Sequence, residues 1–187
     1  MSKSRALVFA LALLVFPGLA LAQAEAPKWT YVEVGIIDFD PDEGASDDGS
    51  FVGGSLRIFK HFHLLAEYDD VGDYTFWNAG GGWHGLLGDK ADLFGQIVWA
   101  NVDIDDSDVS EDGYDLQAGF RWKIVKWFEL LGQVNWVDYG GDVGDDTTVE
   151  VGGLFLFAND HFGAGARYET GDADTARVFA RFSFGGK

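Results

Sequence analysis

"DGYDLQAGFRWKIVKWFELLGQVNWVDYGG", residues Asp112 to Gly141, alternates in character. Tyr114, Leu116, Ala118, Phe120, Trp122 and Ile124 share one parity; Asp115, Gln117, Gly119, Arg121 and Lys123 share the other. Successive side chains of a strand point to opposite faces, so the first set makes an aromatic, apolar face and the second a polar one. Past Val125-Lys126 the pattern resumes, with Phe128, Leu130, Val134 and Trp136 alternating with Glu129, Gln133 and Asn135. A helix would mix these classes on every face. Two strands joined by a tight turn are predicted.

The same alternation extends in both directions and predicts ten strands, at about 29–39, 50–59, 62–69, 74–86, 91–102, 113–124, 127–138, 148–157, 161–170 and 175–185. Eight is the alternative count, if 62–69 and 161–170 pair differently. Connections alternate in kind. Those at 40–49, 69–73, 103–112, 139–147 and 170–175 read as long loops and carry nineteen acidic residues and no Lys or Arg. Those at 59–62, 87–90, 124–127 and 157–161 are short and hold Lys60, Lys90 and Lys126. In an up-and-down meander the two kinds fall at opposite ends. Long loops at one end and tight turns at the other are the pattern of a transmembrane β-barrel.

The chain opens with a basic start at Lys3 and Arg5, an apolar run over 6–16 and an Ala20-Leu21-Ala22 site. That is the form of a secretory signal peptide over 1–22, leaving a single barrel domain over 23–187; a membrane anchor is the competing reading. There is no cysteine to staple an exported domain, so a core or a bilayer must hold it. The net charge of −18 excludes nucleic-acid binding through a basic surface.

Parity assigns the faces. Glu33, Arg57, Glu67, Arg121, Glu129, Glu150, Arg167, Arg177 and Arg181 share the polar face. Trp77, Trp83, Trp99, Tyr114, Trp122, Trp127, Trp136 and Tyr168 lie toward strand ends on the apolar face, where aromatic girdles sit at lipid–water boundaries. Apolar outside and charged inside is the arrangement of a barrel in lipid; a soluble lipid binder would reverse it. The fold class expected is an all-β, antiparallel, up-and-down transmembrane barrel.

"WTYVEVG", "DGSFVGGSLRIFKHFHLLAEYD", "DGYDLQAGFRW" and "WFELLGQVNWVDY" resemble segments of the small bacterial outer-membrane β-barrels, similar to the OmpA transmembrane barrel and OmpX. The resemblance covers the mature chain and rests on composition and loose spacing. It implies an outer-membrane location, surrounding lipid and lipopolysaccharide, and barrel-assembly machinery as a partner in biogenesis. Such chains commonly end on an aromatic residue; here Phe182 and Phe184 precede Gly185-Gly186-Lys187.

Three functional readings follow. The inward charges form either a packed salt-bridge core or the constriction of a narrow channel. The acidic stretches, above all Asp103, Asp105, Asp106 and Asp108, suit a weakly held divalent cation, although "DFDPDEGASDD" lacks the Gly and Glu of an EF-hand. Catalysis is not expected: His61, His63 and His161 lie at short turns, and no Ser sits beside a His in a recognisable motif. No cofactor is expected. The sequence favours a closed structural or surface-interaction barrel, with a porin-like channel as the alternative.

Overall fold

The computed structural model describes residues 26–41, 45–104, 110–140 and 144–184. The signal peptide expected over 1–22 lies outside them, as do Asp105, Asp106, Asp108 and the terminal Gly185-Gly186-Lys187. Ten strands follow in order: β1 (Tyr31–Pro41), β2 (Asp47–Phe59), β3 (Phe62–Val71), β4 (Tyr74–Leu86), β5 (Ala91–Ile104), β6 (Ser110–Val125), β7 (Phe128–Asp138), β8 (Asp145–Phe157), β9 (Phe162–Thr170) and β10 (Ala173–Ser183).

Each strand pairs antiparallel with its sequence neighbours, and β1 pairs with β10 to close the barrel. Both β3 and β9 are paired on both sides, which decides for ten strands over eight. Closure leaves no sheet edge, so the strand backbone satisfies its own hydrogen bonds without water. The seam runs from Tyr31 opposite Ser183 to Pro41 opposite Ala173, which puts both ends of the described barrel at the short-turn end.

Strands run further into the acidic segments than their composition suggests. The regions 69–73 and 170–175, expected as loops, are two-residue turns at Gly72-Asp73 and Gly171-Asp172. Carboxylates do not forbid a backbone ladder where their side chains reach water. The left-handed φ of +57° at Gly72 supplies the backbone conformation for the first of these turns. Asp103, the described member of the expected cation group, is part of β5 and pairs with Ser110. Among the described residues no group of three or more acidic or histidine side chains is arranged to hold a metal ion.

The outer face is apolar. Val34, Ile36, Leu64, Ile97, Val151 and Val178 stand exposed around its middle. Above this band acids begin at one height, with Asp38 opposite Asp48 and Ser50 opposite Asp70. Aromatics rim the band on both sides. Trp83, Trp122 and Trp127 stand near the short-turn end; Trp77, Trp99, Tyr114, Trp136 and Tyr168 stand near the other, all exposed, from 39% for Trp127 to 64% for Tyr114. Tyr114 and Trp122 are eight residues apart on β6. At ~3.3 Å per residue and ~40° of tilt that separation is roughly 20 Å, near the height of a lipid-facing band.

The inner face packs two kinds of residue. Ile37, Phe51, Val71, Leu154, Leu156 and Phe179 make one apolar cluster. Charged side chains fill the rest, and glycines make room for them. A Cβ on Gly152 would stand 2.7 Å from Cγ of Arg167, and one on Gly53 would stand 2.9 Å from Oε2 of Glu67.

Candidate functional site

Lys28, Trp29 and Thr30 do not extend β1. They turn inward at the barrel's short-turn end. Trp29, only 4% exposed, lies inside. Its indole Nε1 donates to Oδ2 of Asp92 at 2.6 Å. The rings of His63 and His84 stack on it at centroid distances of 4.4 and 4.5 Å, and Phe94 meets it edge-on at 5.5 Å. The Arg121 guanidinium lies 4.6 Å from the indole centroid. The backbone of this segment is tied to the wall as well. Ser55 Oγ donates to the Trp29 carbonyl at 2.9 Å, Arg121 Nη1 to the Lys28 carbonyl at 2.9 Å, and the Phe184 N–H to the Thr30 carbonyl at 3.0 Å.

The two histidines form a directed chain. The Gln96 amide nitrogen donates to Nε2 of His63 at 2.8 Å. That leaves the His63 proton on Nδ1, which donates to Nδ1 of His84 at 3.1 Å. A second floor contact comes from the β8–β9 turn, where Ala158, Asn159 and Asp160 all have left-handed φ. Lys28 Nζ donates to the Asn159 carbonyl, and the buried Lys123 pairs with Asp160.

From Trp29 toward the loop end the inward charges meet in one continuous ladder. Arg121 pairs with Glu129 at 2.7 Å, and Glu129 reaches Arg181 at 3.4 Å. Arg181 pairs with Glu33 at 2.5 Å, and Glu33 with Arg167 at 3.2 Å. Arg167 faces Glu67 at 3.7 Å and Glu150 at 3.9 Å. Arg177 then faces Glu67 and Glu150 and pairs with Asp69 at 2.9 Å and Glu169 at 3.2 Å. The guanidiniums also lie over rings: Arg181 is 4.1 Å from the Tyr31 centroid and Arg167 is 4.9 Å from that of Phe179. Eight of the nine inward charges read from parity are in this ladder. The ninth, Arg57, stands at the plug end, where its backbone N–H donates to Thr30 Oγ1 at 3.2 Å.

A cavity of about 420 Å³ runs from Trp29 past Arg167 and Arg177 to Asp145, Asp146 and Asp172 at the loop end. Tyr139, just beyond β7, lines its mouth. Burial, together with the carboxylates of Asp115, Glu169 and Asp69, pushes its phenol well above the ordinary range, so it stays neutral. Parity puts Lys123 and His84 on the polar face without giving them partners, and it does not single out Trp29, Asp69, Asp92 or the pairing of His63 with His84. Parity itself carried the signal for Trp29: counting back from Glu33 through Tyr31 puts it on the inner face.

No protein-family model matches the chain, and no curated protein matches it. Solved structures do. The KdgM porin in complex with disordered oligogalacturonate superposes with a TM-score of 0.53 at 9% identity, over 83% of this chain and 99% of that one. The KdgM porin alone gives 0.51 at 10% identity, over 82% and 99%. The N-terminal β-barrel domain of Pseudomonas aeruginosa OprF gives 0.46 at 14% identity, over 84% and 100%. At such identities the likeness to KdgM is one of fold. The chain has the architecture of the small outer-membrane β-barrels.

Proposed function

We propose that this is an integral outer-membrane protein, exported through a signal peptide cleaved after Ala22, and a closed barrel that presents an acidic surface. The exposed apolar band between aromatic rims supports the placement in lipid. The short-turn end then faces the periplasm and the acidic end faces out, beside lipopolysaccharide. Assembly machinery inserts the chain.

One observation carries the closed state: Trp29 is lodged beneath an unbroken ladder of ion pairs. Solutes crossing the lumen would have to displace the indole and separate charges held in a medium of low dielectric. His63 and His84 engage Trp29 and each other, His161 bonds the Ser183 carbonyl, and Ser55 donates to a backbone carbonyl. That suits holding a plug, not activating a nucleophile, and the protein is read as a non-enzyme. The polyanionic sugar in complex with the KdgM porin does not suit this lumen, whose cavity lining holds nine carboxylates against four guanidiniums.

The test is conductance across a planar bilayer. A closed barrel gives silence. A narrow cation-selective pore is the second reading, favoured by the cavity that reaches the loop end, and it would give steady single-channel steps.

A further inference from the structure

The loop-end half of the cavity presents hydrogen-bond acceptors that the protein leaves without donors. Asp69 uses Oδ2 for Arg177 and leaves Oδ1 without a partner. Asp115 accepts from Gln117 at 2.5 Å through Oδ2 and also leaves Oδ1 unpartnered. Asn135 donates from Nδ2 to Thr148 Oγ1 at 3.0 Å and to Glu169 Oε1 at 2.8 Å, so its Oδ1 is a third. Asp69 and Asn135 are 3% and 6% exposed, and all three residues line the cavity. A buried acceptor without a donor is costly, so such a set calls for a ligand or water that supplies N–H or O–H groups.

Two further features decide the kind of donor. The excess of carboxylates over guanidiniums in the lining makes the field favour a cation. On the other side, Phe39 of β1 packs on Tyr74 and Phe76 of β4, with centroids 5.7 and 6.2 Å apart. That aromatic surface, with the neutral phenol of Tyr139, suits an alkyl chain and the face of a soft cation. A bare metal ion would want acidic or histidine ligands grouped tightly, and the described residues hold no such group.

We propose that this half of the lumen is a binding site for a small organic cation, a primary alkylammonium of the diamine or polyamine class. Its ammonium groups donate N–H to the unpartnered oxygens of Asp69, Asp115 and Asn135, and the methylene chain lies against Phe39, Tyr74 and Phe76. The site is reached from the loop end and does not depend on whether the plugged end conducts.

The experiment is calorimetric titration of the refolded mature protein in detergent micelles with putrescine, with 1,4-butanediol and Mg²⁺ as comparisons. Saturable binding of putrescine, absent for the diol and not displaced by equimolar Mg²⁺, is expected. Asp115→Asn should weaken it at least about tenfold, the loss of one charge-assisted hydrogen bond, while Asp48→Asn on the outer face leaves it unchanged. Tyr139→Ser, outside the strands, is a second variant expected to weaken binding if Asp115→Asn does not fold. No saturable heat, equal binding of the diol, displacement by equimolar Mg²⁺, or equal weakening by Asp48→Asn would overturn the proposal. The first two would show that the unpartnered atoms hold only water; the last two would show a diffuse acidic surface. None of these results would reopen the plugged end.

Discussion

The indole nitrogen of Trp29 donates to Asp92 at 2.6 Å across a separation of 63 residues, joining the segment before β1 to the inner wall of β5. That bond, with the histidine rings and Arg121 around the indole, makes the lead-in segment part of the barrel's floor. Trp29→Ala removes the floor's largest side chain. Conductance steps should appear where the parent barrel is silent, and the heat-unfolding midpoint should fall. A truncation of this size in a packed site costs about 3–5 kcal/mol. Silence in the variant would mean that the ladder alone closes the lumen.

Arg181 sits between Glu33 and Glu129, and all three are buried. Arg181→Ala leaves two carboxylates without their shared partner, at a cost of roughly 3–5 kcal/mol. Arg121→Ala, which leaves Glu129 only its 3.4 Å contact with Arg181 and uncovers Trp29, should act in the same direction. The heat-modifiable gel mobility of each variant reports this. An unchanged transition temperature would show that the ladder contributes specificity without stability.

Inward glycines are predicted to differ from outward ones. Gly152→Val would drive a Cβ to within 2.7 Å of Arg167 and 3.0 Å of the Ala166 carbonyl, so the refolded yield should collapse. Gly95→Ala meets nothing nearer than the Gln117 carbonyl at 3.9 Å and should refold like the parent. Equal refolding of both would contradict the tight packing of charge around the inner glycines.

Acid should loosen the floor. The Nδ1–Nδ1 contact of His63 and His84 needs one accepting nitrogen, and protonation removes it. A further cation would then stand beside Arg121 on β6, His61 in the β2–β3 turn and Arg57 on β2. Open events in bilayers should therefore grow more frequent as pH falls from 8 toward 4, and His84→Phe should flatten that dependence. A parent barrel equally silent throughout would contradict it.

Much of this was legible in the sequence because one rule governs a barrel in lipid. Period-two alternation puts Arg121 and Glu129 on one face and Trp122 and Trp136 on the other, and a side chain has no third choice. Strand ends were less legible. Asp69 and Asp70 look like loop residues, yet they pair within β3: Asp69 points inward onto Arg177, and Asp70 points out to an exposed position. The floor was hidden for a different reason. The partners of Trp29 lie on β3, β4, β5 and β6, and only the closed ring brings them together. The pairing of Lys123 with Asp160 was hidden in the same way, because it joins β6 to the turn between β8 and β9.

Hydrocarbon should meet the apolar face while the indole of Trp29 stays inside. Quenching by lipids brominated high in the acyl chain tests both at once. Of the seven tryptophans, one variant keeps only Trp99 and another only Trp29, the rest being phenylalanine. Strong quenching of Trp99, at 43% exposure on the outer face, and none of Trp29 is the predicted result. An unquenched Trp99, or a Trp29 quenched as strongly, would contradict it.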